Sequence, residues 1–281
     1  MAHGEEVGII TYLQVNRAFM APVVEQAVAR LGLEERRRVL DVGTGAGGGL
    51  VALARATGPE GRVLAVDRNE DALALARGHA EAEGVLERVH FEPADLMRVA
   101  ARAAAGDRFD AIWAGDVIWP GNVPDPGRAV AELADSLAPG GVLALFTSNY
   151  YNATFLPGHA QLERRLLTAS ELNWGIPADG PDHYARHVHW MRAAGLTDVR
   201  LHVLPRIGFP VDDDPTVRPY LERIVWPELL AAARSRGREA GMSDDDLARV
   251  EALLRPGGPE YVVDEPGYYL VHPALLVTGV R

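Results

Sequence analysis

A chain of 281 residues can hold one large domain or a core with a cap, and 48% hydrophobic with 24% charged residues is ordinary for a soluble globular protein. The absence of cysteine excludes disulfides, thiolate metal sites and thiol nucleophiles, and because all 28 basic residues are arginine, lysine Schiff bases and a Tyr-x-x-x-Lys reductase site are excluded too. A net charge of −11 disfavours a nucleic-acid polyanion, and with neither a leader pattern nor a membrane-length apolar run, a cytoplasmic protein with a small-molecule substrate and no membrane partner is expected.

Residues 7–33 place Ile10, Leu13, Val15, Phe19, Val23, Val24, Ala27, Val28 and Leu31 on a broad helical stripe, which Pro22 is expected to break in two. From residue 38 the patterns alternate, with strands at 38–42, 62–66, 88–92, 109–114 and 141–147 and helices at about 48–57, 70–82, 97–105 and 126–137. Gly58-Pro59 and Pro139-Gly140-Gly141 read as turns, and Asn69 and Pro126 suit helix starts. The alternation predicts a doubly wound α/β fold.

The first strand runs into Val39-Leu-Asp-Val-Gly-Thr-Gly-Ala-Gly-Gly-Gly49. Gly43, Gly45 and Gly47 can take positive φ and leave no side chain between backbone and ligand, so a nucleoside-bearing cofactor can lie against the loop. Gly43, Gly45 and Gly48 also satisfy GxGxxG, a spacing that fits a dinucleotide as well. Asp41, two residues before the first glycine, would repel a pyrophosphate and suits a cation. Asp67, closing the second strand, can take both hydroxyls of a ribose. Asp95, in Phe91-Glu-Pro-Ala-Asp-Leu96, could accept from an adenine amine, with a helix cap as its competing role. Ligands in such sheets bind beyond the carboxyl ends of the strands, where Gly43, Asp67, Asp95 and Gly115 all fall.

Through this ordered set, over about residues 35–147, the chain resembles the class I S-adenosylmethionine-dependent methyltransferases of small-molecule type. The resemblance implies a doubly wound, mostly parallel seven-stranded sheet with helices on both faces and a helical cap. It implies S-adenosyl-L-methionine as cofactor and methyl transfer to an O, N or C nucleophile of a small molecule, secondary metabolites included. The cofactor site it implies comprises Asp41, Gly43, Thr44, Gly45, Gly47, Asp67, Arg68, Asp95 and Leu96, with Ala114 and Gly115 in the floor under the methionine part. Residues 109–120 lack the (Asn/Asp)-Pro-Pro-aromatic signature of exocyclic or amide nitrogen methylation. They also lack the His-rich or acidic pair that quinone and sterol methyltransferases often carry near Trp119 and Pro120, although residues 123–133 again resemble that broad group. Two alternatives stand beside this reading. An NAD-dependent oxidoreductase would share the glycine turn, and a protein binding S-adenosylmethionine without methylating would share every motif.

Beyond Thr147 the alternation stops. Residues 148–181 are a polar-aromatic mixture that reads as a cover, followed by a helix over 182–194, a strand at 199–204, helices over 218–237 and 243–254 and a last strand at 268–280. The organisation expected is an N-terminal helical cap segment 1–34, a Rossmann-like core 35–208 with a cap insertion at about 148–181, a helical cap insertion 209–262 and a final core strand in 263–281. In the resembled family a leading segment often covers cofactor and substrate, and Tyr12, Asn16 and Arg17 would face that way. A homodimer is an open oligomeric state.

His183, His187 and His189 form the histidine cluster. His183 and His187, four apart and expected on one helix face, are the candidate general bases; His159, Tyr150, Tyr151 and Asp116 are weaker ones. With no cysteine and no HExxH arrangement, no metal is expected. Asp212-Asp-Asp214 and Asp244-Asp-Asp246 are read as helix caps, Ser243 with Asp246 matching a capping box. Trp119, Trp174, Trp190 and Trp226 suit either a pocket for an aromatic or lipid-like substrate or the core.

Overall fold

In the computed structural model, which describes residues 8–210 and 214–281, the first helix is Ile9–Val28 (α1). It is not broken at Pro22. Phe19, Met20, Val23, Val24, Ala27 and Val28 are buried on both sides of the proline, and that burial offsets the loss of one backbone hydrogen bond. Leu31 and Leu33 are buried after the helix has ended.

Five strands then alternate with helices: Arg38–Val42 (β1), Leu50–Ala56 (α2), Arg62–Asp67 (β2), Glu70–Ala82 (α3), Val89–Pro93 (β3), Leu96–Ala104 (α4), Phe109–Gly115 (β4), Pro126–Asp135 (α5) and Leu137–Ser148 (β5). These strands pair in parallel, β3-β2-β1-β4-β5, and their near-continuous apolar runs reflect cover on both faces. Leu40, Val42, Val66, Ile112, Ala114, Leu143 and Leu145 form one core with Val99 and Ala103 of α4 and Val130 and Leu133 of α5. Helices start as the sequence suggests: Asn69 accepts from Asp71 N and Ala72 N, and Pro126 opens α5 behind the Asp125 cap. Pro139-Gly140-Gly141 is not a turn before a strand. Those residues lie inside β5, where the register with β4 jumps from Phe109↔Leu137 to Ala111↔Val142, and Gly140 (φ +74°) supplies the bulge.

The remaining elements are Ala160–Trp174 (α6), His187–Ala193 (α7), Thr197–Gly208 (β6), Val217–Tyr220 (α8), Trp226–Arg236 (α9), Asp244–Leu253 (α10) and Leu270–Val280 (β7). The full sheet order is β3-β2-β1-β4-β5-β7-β6, with β7 antiparallel to β5. Within residues read as an irregular cover, α6 is a true helix: Leu162, Leu166, Leu167 and Ala169 are buried and Gly175 caps it at φ +65°. A π-helical turn, Leu221–Val225, joins α8 to α9, just before Pro227, which cannot donate to the ladder. The chain divides into two compact units. One comprises Met20–Ser148, Asp179–Leu204 and Ala274–Arg281 and carries most of the sheet; the second comprises the chain up to Phe19, Asn149–Ala178 and Pro205–Pro273. No helix among the described residues is long and apolar enough to cross a membrane.

The acidic runs differ in fate. Asp212 and Asp213 lie outside the described residues, while Asp214 caps no helix: it accepts from Thr216 N and pairs with Arg206, whose guanidinium is largely buried. Ser243 and Asp246 close the expected capping box on α10. Ser243→Ala should therefore cost about 1 kcal/mol in chemical denaturation. Added divalent metal should leave the melting temperature of both proteins unchanged; a metal-dependent rise would show that the acids bind cations instead.

Candidate functional site

After β1 the chain turns through Gly43 (φ +68°), Gly45 (φ +53°) and Gly47 (φ +84°), the left-handed conformations expected of them. A Cβ on Gly43 would stand 2.6 Å from Val117 Cγ2, so the loop passes against the residues that follow β4 only because that position has no side chain. Thr44 N donates to Val66 O (3.0 Å) and Gly45 N to Asp67 Oδ2 (2.9 Å), while Asn69 N donates to Asp67 Oδ1 (2.9 Å). Asp67 is thus locked against the loop, its carboxylate oriented by two backbone donors.

Asp41 is buried, 2% exposed, and its Oδ2 accepts from Thr44 Oγ1 at 2.6 Å. Burial raises its pKa from 3.8 to about 7; the Thr44 bond opposes the shift and the neighbouring Asp67 charge adds to it. A cation is the ligand that would reverse that shift.

Asp95 does cap α4, Oδ1 accepting from Met97 N at 2.9 Å, but it remains exposed with its second oxygen available; Leu96 beside it is half-buried. Arg68 is exposed and donates to Asn122 Oδ1 (2.8 Å), and Asn122 Nδ2 donates to Val117 O (2.9 Å), which ties the end of β2 to the segment after β4. Ala114 is buried and Gly115 half-buried at the end of β4. Trp113, which sequence reasoning passed over, stacks on Phe146 with ring centroids 5.2 Å apart. A Cβ on Gly49 or Gly115 would come within 2.7 or 2.8 Å of its Nε1, so these two glycines serve the indole.

Asp116 follows Gly115 at φ +56°, a strained conformation for a residue with a Cβ. Its N–H donates to Phe146 O (2.9 Å), and its carboxylate accepts from Ser148 N (2.6 Å) and Ser148 Oγ (2.7 Å). The side chain is open to solvent yet crowded by protein; the crowding raises its pKa and the two Ser148 donors oppose the rise. Ser148 was not anticipated, although a hydroxyl at the carboxyl end of a central strand is a signal for this edge.

The two candidate histidines do not share a helix face. His183 is extended, and its Nδ1 accepts from Ala185 N (3.1 Å) to cap the short 3-10 turn Tyr184–Arg186, whereas His187 opens α7. Spending Nδ1 as an acceptor leaves the neutral His183 with a donor at Nε2, the wrong tautomer for a base. His187 is 2% exposed, with Nε2 3.5 Å from Thr147 Oγ1. Burial lowers its pKa to about 4; the Ile118 backbone opposes the shift, though Nδ1 makes no hydrogen bond of good geometry. Of the weaker candidates, Tyr150 is raised well above 10 by burial with Tyr220 and Glu228 nearby, which keeps its proton on, and His159 precedes α6 without capping it. Trp190 and Trp226 are core residues donating to Pro181 O and Tyr261 Oη, Trp174 is exposed on Glu228, and Trp119 is half-buried over Gly121. Tyr12 is exposed and Asn16 and Arg17 are half-buried on α1.

The loop geometry separates glycines that the sequence pattern cannot. Gly43→Ala should destabilise the protein by more than about 1 kcal/mol, through the left-handed backbone and the Val117 contact. Gly48→Ala, where a methyl meets nothing within 4 Å, should stay within about 0.5 kcal/mol. Equal effects in thermal denaturation would contradict this loop conformation.

The chain is similar to known proteins over the same part of its length. Residues 33–187 match a family of methyltransferase domains. The methyltransferase GfsG of Streptomyces halstedii is 38% identical over 123 residues, 44% of this chain and 42% of GfsG. The sterol 24-C-methyltransferase of Aspergillus fumigatus is 29% identical over 163 residues, 54% of this chain and 40% of that enzyme, so the matched parts span less than half of these relatives. A candidate methyltransferase from Bacillus halodurans, whose crystal structure is known, shares the fold at a TM-score of 0.52 and 17% identity, with 92% of this chain and 97% of that one covered. With the family match extending over more than half of its length, the chain belongs to the class I S-adenosylmethionine-dependent methyltransferases, and S-adenosyl-L-methionine is its cofactor.

Proposed function

We propose that this protein transfers the methyl group of S-adenosylmethionine to an O, N or C nucleophile of a small molecule, secondary metabolites being the favoured class. The observation that carries the reading is the junction of Asp41, the Gly43–Gly47 turn and Asp67 at the carboxyl ends of β1 and β2, where a buried acid and a side-chain-free loop meet. The residues suit the cofactor chemically. Asp41, with its raised pKa, favours a positively charged ligand; Asp67 offers lone pairs to ribose hydroxyls; Asp95 retains an oxygen for an amine; the backbone at Thr44, Leu96, Ala114 and Gly115 would line the remainder. The cofactor supplies a methyl group already activated by positive sulfur. The protein has to align a nucleophile, exclude water and accept a proton. Asp116 is the group we assign to the proton: it is accessible, it sits at the end of β4, and Ser148 fixes its carboxylate. His187, whose Nε2 lies 3.5 Å from Thr147 Oγ1, is assigned a positioning role behind Thr147.

Mass spectrometry with a methyl-deuterated cofactor should reveal products carrying the label; no labelled product from any candidate pool would remove the transfer. Asp67→Ala should weaken cofactor binding by about 1.5–3 kcal/mol in calorimetry. Affinity should be level above about pH 7 and fall by up to tenfold per unit below it, because binding a cation then requires Asp41 to give up a proton. Asp41→Asn should flatten that slope; a slope that survives would assign it to another group.

The proton acceptor is tested by turnover. Asp116→Asn should lower kcat by about 10²–10⁴-fold with cofactor affinity intact. Ser148→Ala, which removes a bond that holds the carboxyl pKa down, should move the acidic limb of the rate profile to higher pH. His183→Ala should change kcat less than about tenfold. A larger loss at His183 than at Asp116 would reverse the assignment.

A further inference from the structure

In the second unit the buried aromatic side chains with polar atoms mostly satisfy them. Trp226 Nε1 donates to Tyr261 Oη (3.1 Å), Tyr261 Oη to Glu222 Oε1 (2.9 Å) and Tyr268 Oη to Phe155 O (2.9 Å). Two atoms break the rule, and they belong to rings in contact. His272 is fully buried and its Nε2 has no partner; Tyr150 Oη is buried and has none; their ring centroids are 6.2 Å apart. The imidazole also meets Phe19, Phe155 and Tyr220 at 6.0 Å, each at a steep angle, so aromatic rings surround it. An unmade hydrogen bond in such a setting is costly, and two in one cluster call for a common partner.

The protonation states say what that partner must offer. His272 Nδ1 lies 3.2 Å from Pro273 O and donates to it, so Nε2 presents a bare lone pair. Burial lowers the imidazole pKa to about 4, which keeps it neutral. Tyr150 keeps its proton as a donor. We propose that His272 Nε2 and Tyr150 Oη form a hydroxyl-recognition site in the second unit for a small phenol-class molecule. The guest's hydroxyl donates to Nε2 and accepts from Tyr150 Oη–H, while its ring packs among the aromatic edges. Tyr150 is only half-buried as a residue although its hydroxyl is covered. The site goes beyond the transfer reaction and requires no cofactor for occupancy.

Calorimetric titration of the full chain with 4-methylphenol tests the assignment, with 4-methylanisole as the probe that cannot donate and toluene as the one with neither role. 4-Methylphenol should bind, and 4-methylanisole should bind at least about tenfold more weakly. Tyr150→Phe should lower 4-methylphenol affinity about tenfold and yet raise the melting temperature by roughly 2–4 °C, since it removes a buried hydroxyl whose bond is unmade. His272→Phe should abolish the preference for the phenol over the anisole. If the wild-type chain binds both probes equally or neither, or if Tyr150→Phe melts lower with phenol affinity unchanged, the two atoms hold a water molecule and the proposal fails.

Discussion

A carboxylate buried at the end of the first strand is the constraint around which this sheet edge is built. Burial disfavours the ionised form of Asp41, the neighbouring Asp67 charge adds to that and the Thr44 hydroxyl opposes it, so its pKa lies about three units above the ordinary value. Because the folded-state pKa is raised, the fold takes up a proton more readily than the unfolded chain. The ionised group thus costs stability above about pH 7, by about 4 kcal/mol, and that cost disappears as pH falls towards 4. On the proposed reaction, a residue that weakens the fold at neutral pH is kept for the ligand it selects. The turn that follows is arranged to the same end: Thr44 leaves β1 pointing back at Asp41, and Gly45 leaves it pointing its N–H at Asp67.

The strand order explains why these acids converge. With β1 between β2 and β4, the direction of winding reverses across the β1–β4 pair, the position at which sheets of this kind bind their ligands. Val117 packs where a Gly43 side chain would be, and the Arg68–Asn122–Val117 bonds link the segment after β4 to the end of β2. Trp113 fills the space left by Gly49 and Gly115, so the glycine-rich stretch serves two masters: Gly43, Gly45 and Gly47 set the backbone of the turn, and Gly49 admits an indole.

This part of the molecule was legible in the sequence because each feature is local. A buried parallel strand is a continuous apolar run, a helix start carries a capping side chain, and a positive-φ turn carries glycine. What failed was what depends on tertiary context. Pro22 is a breaker by propensity, but buried neighbours on both sides carry α1 through it. Pro139-Gly140-Gly141 is a turn by composition, but pairing with β4 continues on either side and makes it a bulge. α6 had a readable signal in Leu162, Leu166, Ala169 and Gly175, obscured by the aromatic and proline-rich residues at its flanks. His183 and His187 are four apart, yet a shared face needs one helix, and the capping bond of His183 ends that premise. Asp116 needed structure most: nothing in its neighbours announces φ +56° or the two bonds from Ser148, which is distant in sequence.

The all-arginine basic complement also acquires a structural sense. Arg88 donates to Ala54 O and Thr57 O at the end of α2, and Arg108 and Arg281 both reach Asp135 O and Leu137 O after α5. Each guanidinium sends these bonds from Nη1 to carbonyls at or just beyond a helix end. Spending arginines on carbonyls leaves the acids at the sheet edge largely without basic neighbours: Asp41, Asp67, Asp95 and Asp116 take their bonds from hydroxyls and backbone N–H groups. An edge so arranged attracts a cation and loses that attraction when the cation's charge is neutralised. On the proposed reaction, Asp41 and its neighbours hold the charged methyl donor more tightly than the neutral thioether it becomes. On that reading the same acids favour release of the spent cofactor, and the net charge of −11 disfavours polyanions as competitors.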